Sequence, residues 1–232
     1  PSRLLPSSTM PHGPDGARLM ERWDAPYRNE QLPGWDVGRP CSHLVKAVED
    51  KEFKPGRAIV FGCGSGTNAI YLASEGFEVV TLDCPFILGH IPGSHVPYIA
   101  ALVEYAAGRL PDMPVFAPRG GTNHMSSTSV AHAVLGAFET GESGRAYLVG
   151  DENLSWKDYL ELWFREAGNP RELDVRDDDQ HLFPNAIIFA GPGATVAYDV
   201  DPEDHRALGS YDRQQLLPTV HALLRAYNPG AA

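Results

Sequence analysis

Positive charge is in short supply in this chain: 19 Lys and Arg face 30 Asp and Glu, for a formal charge of −11. A phosphate backbone would be repelled by that field, and no local basic patch offsets it, so no nucleic acid partner is expected. Long hydrophobic runs are missing too. No stretch approaches the ~20 apolar residues of a membrane span, and no charged-then-apolar leader opens the sequence. The expectation is a cytoplasmic protein with no membrane partner. Cysteine is limited to Cys41, Cys63 and Cys84. The odd number and wide spacing match neither a disulfide framework nor the close ligand pairs of a zinc site, so these read as reduced thiols. Nine histidines include no H-E-x-x-H pair. His90 and His95 flank a turn without further ligands nearby, and the run Asp177, Asp178, Asp179 reads as a solvated acidic loop rather than a cation site. No metal is expected, and no internal repeat is present.

What is present suffices for a core. With 232 residues and 43% hydrophobic content, the chain can form one large domain or two small ones. Residues 1–20, rich in Pro, Ser and Gly without an apolar period, are expected to be a mobile tail. Trp23, Tyr27 and Trp35 then raise the aromatic density, as in a cover over something. "CSHLVKAVEDKEF" predicts a helix with Ser42 as N-cap. "RAIVF" predicts a buried strand, "TNAIYLASEG" a helix closed by Gly76, and "FEVVTLD" a second apolar strand. Strand, glycine loop, helix, strand is one right-handed parallel unit.

Further along, "VPYIAALVEYAAGRL" predicts a helix and "MPVFAP" a strand. "SVAHAVLGAFET" predicts a helix capped at Ser127 or Ser129, and "GRAYLVG" a strand. "SWKDYLELWFREAG" predicts a helix with a Ser N-cap, Asp158 three residues on, and a stop at Gly168. "AIIFAG" and "TVAYDV" predict strands, and "RQQLLPTVHALLRAY" an amphipathic helix interrupted near Pro218. "GPGAT" at residues 191–195 reads as a plain turn, with a second phosphate-type turn as the alternative.

The loop "GCGSG" carries the chemistry. Gly62, Gly64 and Gly66 alternate between a strand and a helix, where glycine permits sharp turns and close ligand approach and the helix start offers free N–H groups. A tight turn without ligand is the competing reading. The dinucleotide fingerprint needs G-x-G-x-x-G, which this loop is not. Asp83 ends the next strand, where a carboxylate can accept hydrogen bonds from both hydroxyls of a ribose.

These residues, with the upstream "WDAPYRNEQLPGWDVGRPCSHLVKAVE", resemble the N-terminal third of class I S-adenosylmethionine (SAM) methyltransferases of the thiopurine methyltransferase type, over residues 21–83. The resemblance implies SAM at Gly62, Cys63, Gly64, Ser65 and Gly66, with its ribose on Asp83. It also implies that Trp35, with Asp36 and Gly38, covers the cofactor; Trp35 reads equally well as a packing residue. The third and fourth strands of those enzymes have no readable counterpart after Asp83.

Residues 84–232 are similar instead to the C-terminal part of extended short-chain dehydrogenases/reductases, the NAD-dependent epimerase/dehydratase group. "PFILGHIPG" and "GGTNHMSSTSVAHAVLGAFETGESGRAYLVGDENLSWKDYLELW" carry that likeness. Hydride transfer in that group uses a Tyr and a Lys four residues apart. No Tyr here has Lys four positions on, and Ser129 stands where the family usually carries Asp. NAD(P) is therefore the less favoured cofactor.

The expected fold is α/β, a Rossmann-like parallel sheet with helices, composite of two partial nucleotide-binding folds that merge in one domain or stay as two. The expected function is SAM-dependent methyl transfer to a small-molecule ligand, with no catalytic acid or base named. A non-catalytic chimeric binding or assembly protein is the alternative, and an epimerase or reductase relative the third. Strand "AIVF", apolar on both faces, calls for a neighbour on each side. Its outer edge is expected to pair with a second-half strand or, in a homo-oligomer, with another subunit.

Overall fold

A computed structural model describes residues 36–178 and 193–227. The predicted tail, Trp23, Tyr27, Trp35, Asp179 and "AIIFAG" lie outside the described residues. The first half forms helix α1 (Ser42–Glu49), strand β1 (Arg57–Phe61), helix α2 (Thr67–Ser74) and strand β2 (Glu78–Asp83). β1 and β2 pair in parallel, with Ile59 opposite Val80 and Phe61 opposite Leu82. The predicted α1 cap is displaced by one residue: Cys41 is the N-cap, Ser42 the first helical residue, and no side chain caps the helix. The Cys41 amide instead donates to Asn68 Oδ1 at 2.8 Å, which ties α1 to the start of α2. α2 ends at Ser74 with Glu75 as C-cap, and Gly76 follows at φ 87°, the left-handed position one residue beyond the cap.

Next come β3 (Phe86–Leu88), α3 (Pro97–Ala106), β4 (Ala117–Pro118), β5 (Gly121–Ser126), α4 (Ser127–Thr140) and β6 (Ala146–Leu148). β7 (Glu152–Ser155), α5 (Trp156–Glu166), β8 (Val175–Arg176), β9 (Thr195–Val196), α6 (Pro202–Ala207) and α7 (Leu216–Tyr227) complete the described elements. "MPVFAP" and "TVAYDV" thus shrink to two-residue strands. The α4 cap is Ser126, not Ser127 or Ser129; its Oγ accepts from the Ser129 amide at 2.9 Å. Ser155 caps α5 as its spacing indicates, accepting from the Asp158 amide at 3.0 Å. Pro218 interrupts nothing, because α7 begins at Leu216 and its first turn needs no donor there.

One sheet runs β1-β2-β6, wholly parallel; a second joins β3, β5 and β7, with β9 also on β5; β4 and β8 pair separately. "FEVVTL" and "PFILG" are therefore not one continuous ladder: the chain leaves the first sheet after Asp83 and enters the second at Phe86. The second half supplies the neighbour of β2, through Leu82 opposite Tyr147. Contrary to the expectation of a buried strand flanked on both sides, no β1 residue is fully buried. Among the described residues β1 is an edge strand with β2 alone as neighbour, because the second-half strand β6 pairs with β2 instead. The Gly62 amide donates to Leu82 O and Gly56 O accepts from Glu78, so by alternation the backbone groups of Arg57, Ile59 and Phe61 point away from β2.

Two cores hold the elements. One packs α3, α5 and α7 through Leu102, Tyr159, Trp163 and Val220. The other buries Val80 and Leu82 of β2 against Val130, Ala133 and Ala137 of α4 and Tyr147 and Val149 near β6. The two β2 side chains are fully buried, worth roughly 2–3 kcal/mol each, and most of what they touch comes from the second half. That shared core joins the two halves. Gly136 lets the chain after α6 cross α4 closely: a Cβ there would lie 2.1 Å from Leu208 O.

Candidate functional site

Parallel strands linked by a right-handed crossover bring their carboxyl ends to one side, and the glycine loop forms there. Gly62, Gly64 and Gly66 have φ of 50°, 55° and 84°, the left-handed region that costs other residues about 1 kcal/mol or more. Gly66 closes a turn by donating to Cys63 O at 2.8 Å. It is also the N-cap of α2, and without a side chain it provides no acceptor for the first-turn amides. A Cβ at Gly62 or Gly64 would meet nothing within 4 Å. Packing does not demand glycine at these two positions; backbone conformation does, and it leaves an open cradle. Ser65 is exposed and Cys63 half-buried at the loop's crest.

The β1–β2 register continues past Phe61 and Leu82, so Gly62 stands beside Asp83. Asp83 is open to solvent on one side, yet desolvation by its surroundings pushes its carboxyl pKa up. No donor among the described residues relieves that. Its charge reaches three neighbours. Burial, then Asp83, raises the Cys63 thiol. The same two causes push Cys84 up to about 11. Burial, then Asp83 and Cys84, push the Tyr198 phenol up to about 12.

Tyr198 comes from the second half, and sequence reasoning missed it. Its hydroxyl donates to Cys84 O at 3.3 Å, at the seam, one residue beyond Asp83. "TVAYDV" offered only a strand-like pattern, and nothing local to it announces contact with a residue 114 positions earlier. Of the residues picked out from sequence, Gly62, Cys63, Gly64, Ser65, Gly66 and Asp83 come together. Gly38 donates to Asp36 Oδ1 at 2.8 Å in a local turn. His90 and His95 both pack near the Tyr227 ring, at 6.1 and 5.4 Å. Asp177 pairs with Arg119 at 2.8 Å. Gly193 of the "GPGAT" turn has φ 76°, and the next residue's carbonyl accepts from the Gly121 amide, so this turn braces β5.

Comparison with known proteins finds one likeness in sequence, local to the first half, and another in fold, over most of the chain. The family described as tellurite resistance protein TehB matches residues 33–85. A probable thiol methyltransferase 2 of Arabidopsis thaliana is 36% identical over 61 residues, 26% of this chain and 26% of that protein. A 2-heptyl-1-hydroxyquinolin-4(1H)-one methyltransferase of Mycobacteroides abscessus is 34% identical over 62 residues, 27% of each. The chain thus spans about a quarter of the length of these curated relatives. Among solved structures, a UDP-glucose 4-epimerase from Thermotoga maritima superposes with a TM-score of 0.57 at 13% identity, covering 82% of this chain and 68% of that one. A UDP-glucuronic acid 4-epimerase from Bacillus cereus gives 0.54 at 13% identity, covering 87% and 73%. Residues 33–85 are methyltransferase-like in sequence, and the fold over most of the chain is the Rossmann-like α/β fold of the epimerases. No helix among the described residues is long and apolar enough to cross a membrane.

Proposed function

We propose that the chain is a composite protein that binds S-adenosyl-L-methionine at the seam between its halves and transfers the methyl group to a small molecule. One observation carries the reading: Asp83, a carboxylate with no donor among the described residues, adjoins a glycine loop that faces open space at Gly62 and Gly64. Both features fit the group. The cradle at Gly62 to Gly66 admits the amino-acid part of the cofactor against backbone amides, and Asp83 accepts from the ribose hydroxyls.

Bound there, the cofactor supplies a methyl group on a sulfonium, which needs an aligned nucleophile rather than an obligatory acid or base. The residues of this chain hold and orient, and no side chain is assigned a proton-transfer role. NAD(P) is disfavoured because the loop lacks the dinucleotide spacing and the Tyr/Lys pair is missing.

Calorimetric titration with S-adenosylmethionine, S-adenosylhomocysteine and NADH, each alone, tests the proposal. Saturable binding of both adenosyl ligands, lost in a folded Asp83→Ala variant, is the expected result. Binding of none would leave the alternative of a non-catalytic binding or assembly protein. NADH binding alone would return the chain to the epimerase group in function as well as fold.

A further inference from the structure

We infer that Tyr198 is the wall of this site, supplied by the second half of the chain, and that its ring carries the flat base of a nucleoside ligand whose ribose is held by Asp83. The inference rests on the reading under Proposed function and names the residue that completes the pocket.

Tyr198 is placed with unusual care for a loop residue. Its amide donates to Asn153 Oδ1 at 2.9 Å, and Asn153 Nδ2 donates back to its carbonyl at 3.0 Å. Asn153 Oδ1 also receives Asn123 Nδ2 at 2.8 Å. Asn123 is wholly buried, and its own Oδ1 accepts from the Asp151 amide at 2.9 Å. At Gly150 the ladder closes tightly: a Cβ there would stand 2.8 Å from Asn123 Oδ1 and 3.1 Å from Tyr198 Cβ. Two asparagines in series, one with no solvent contact, are committed to fixing the backbone of one aromatic residue. Buried amides are costly unless fully bonded, so such a ladder fixes one geometry.

The other end of Tyr198 is fixed as well, by its hydroxyl on Cys84 O. The side chain therefore spans from the loop after β9 to the carboxyl end of β2, one residue beyond Asp83, and it keeps part of its surface open. After Cys84 the chain turns into β3 and the second sheet, so no following parallel strand from the first half shelters a base. An aromatic ring in the field of the ribose-binding carboxylate supplies what is missing. Hydroxyls for Asp83 and a π face for Tyr198 together describe a nucleoside.

The test compares two ligands that differ in the base, S-adenosylhomocysteine and S-ribosylhomocysteine, on the wild type and on Tyr198→Phe, Tyr198→Leu and Asp83→Asn. Thermal melting identifies the folded variants. The wild type is expected to prefer the base-bearing ligand. Tyr198→Leu is expected to weaken it about tenfold while leaving the base-less ligand unchanged, and Tyr198→Phe, which keeps the ring, to stay within about threefold of wild type. Asp83→Asn is expected to weaken both ligands. Equal weakening of both ligands by Tyr198→Leu, or no weakening, overturns the inference while leaving the proposed site intact. Wild-type protein that binds neither ligand overturns the site itself, and the inference with it.

Discussion

His124 should make this protein acid-labile, by an amount the structure allows to be worked out. The ring lies on β5, fully buried, stacked on Tyr159 at 4.3 Å and flanked edge-on by Phe86 at 5.5 Å and Trp156 at 5.8 Å. Among the described residues neither ring nitrogen has a partner at good hydrogen-bonding geometry; backbone groups of Thr122 and Glu152 offset the desolvation only in part. Burial therefore lowers its pKa to about 4. The folded protein holds this imidazole neutral, whereas the unfolded chain takes up a proton near the ordinary value. Stability from this group is thus complete above about pH 6.5 and falls as pH drops toward 4. Linkage gives a loss of roughly 2–3 kcal/mol between pH 7.5 and 4.5, and slightly more at lower pH. Other carboxylates titrate over the same range, so the measurement is a difference. Urea unfolding of wild type and of His124→Phe, a neutral ring of similar size, is compared at the two pH values. Wild type should lose roughly 2–3 kcal/mol more than the variant. Equal losses would refute the argument and show that water or a partner reaches the imidazole.

Three further outcomes follow from the same structure. Asp151 is buried and accepts from the amides of Gln214 and Gln215 at 2.7 and 3.0 Å, fixing the entry to α7. Asp151→Ala should cost about 2–4 kcal/mol in denaturant unfolding, and a loss under 1 kcal/mol would show that water replaces the carboxylate readily. Gly64→Ala should cost only about 1 kcal/mol, because its φ of 55° is strained for alanine while its surroundings are empty, yet it should abolish S-adenosylhomocysteine binding in calorimetry. Unimpaired binding by that variant would place the ligand elsewhere. The outward backbone row of Arg57, Ile59 and Phe61 is self-complementary: a second copy turned about Ile59 places Arg57 opposite Phe61 and satisfies every group. Light scattering should therefore report a dimer that Phe61→Lys, at a half-exposed position, converts to monomer. A monomeric wild type at micromolar concentration would refute that pairing.

The sequence by itself determined the local units. β1, the glycine loop, α2 and β2 follow from an apolar run, alternating glycines, a 3.6-residue period and a second apolar run, each a property of a few consecutive residues. The Ser155 cap with Asp158 was equally legible, since both bonds close within one turn. Cap positions at Cys41 and Ser126 were displaced by one or a few residues because Ser42, Ser127 and Ser129 are as competent chemically, and only the turn of the incoming chain selects among them. Tertiary structure alone decided the rest. It assigned β6, not a strand beside β1, as the partner of the first half, because Val80 and Leu82 gain burial only against α4 and Tyr147. It brought Tyr198 to Cys84 through two asparagines thirty residues apart, neither of which has a sequence neighbour that predicts the other. Periodicity and capping act over a single turn or strand, whereas the choice of sheet neighbour and the closing of a pocket across a seam depend on which distant surfaces can be buried together.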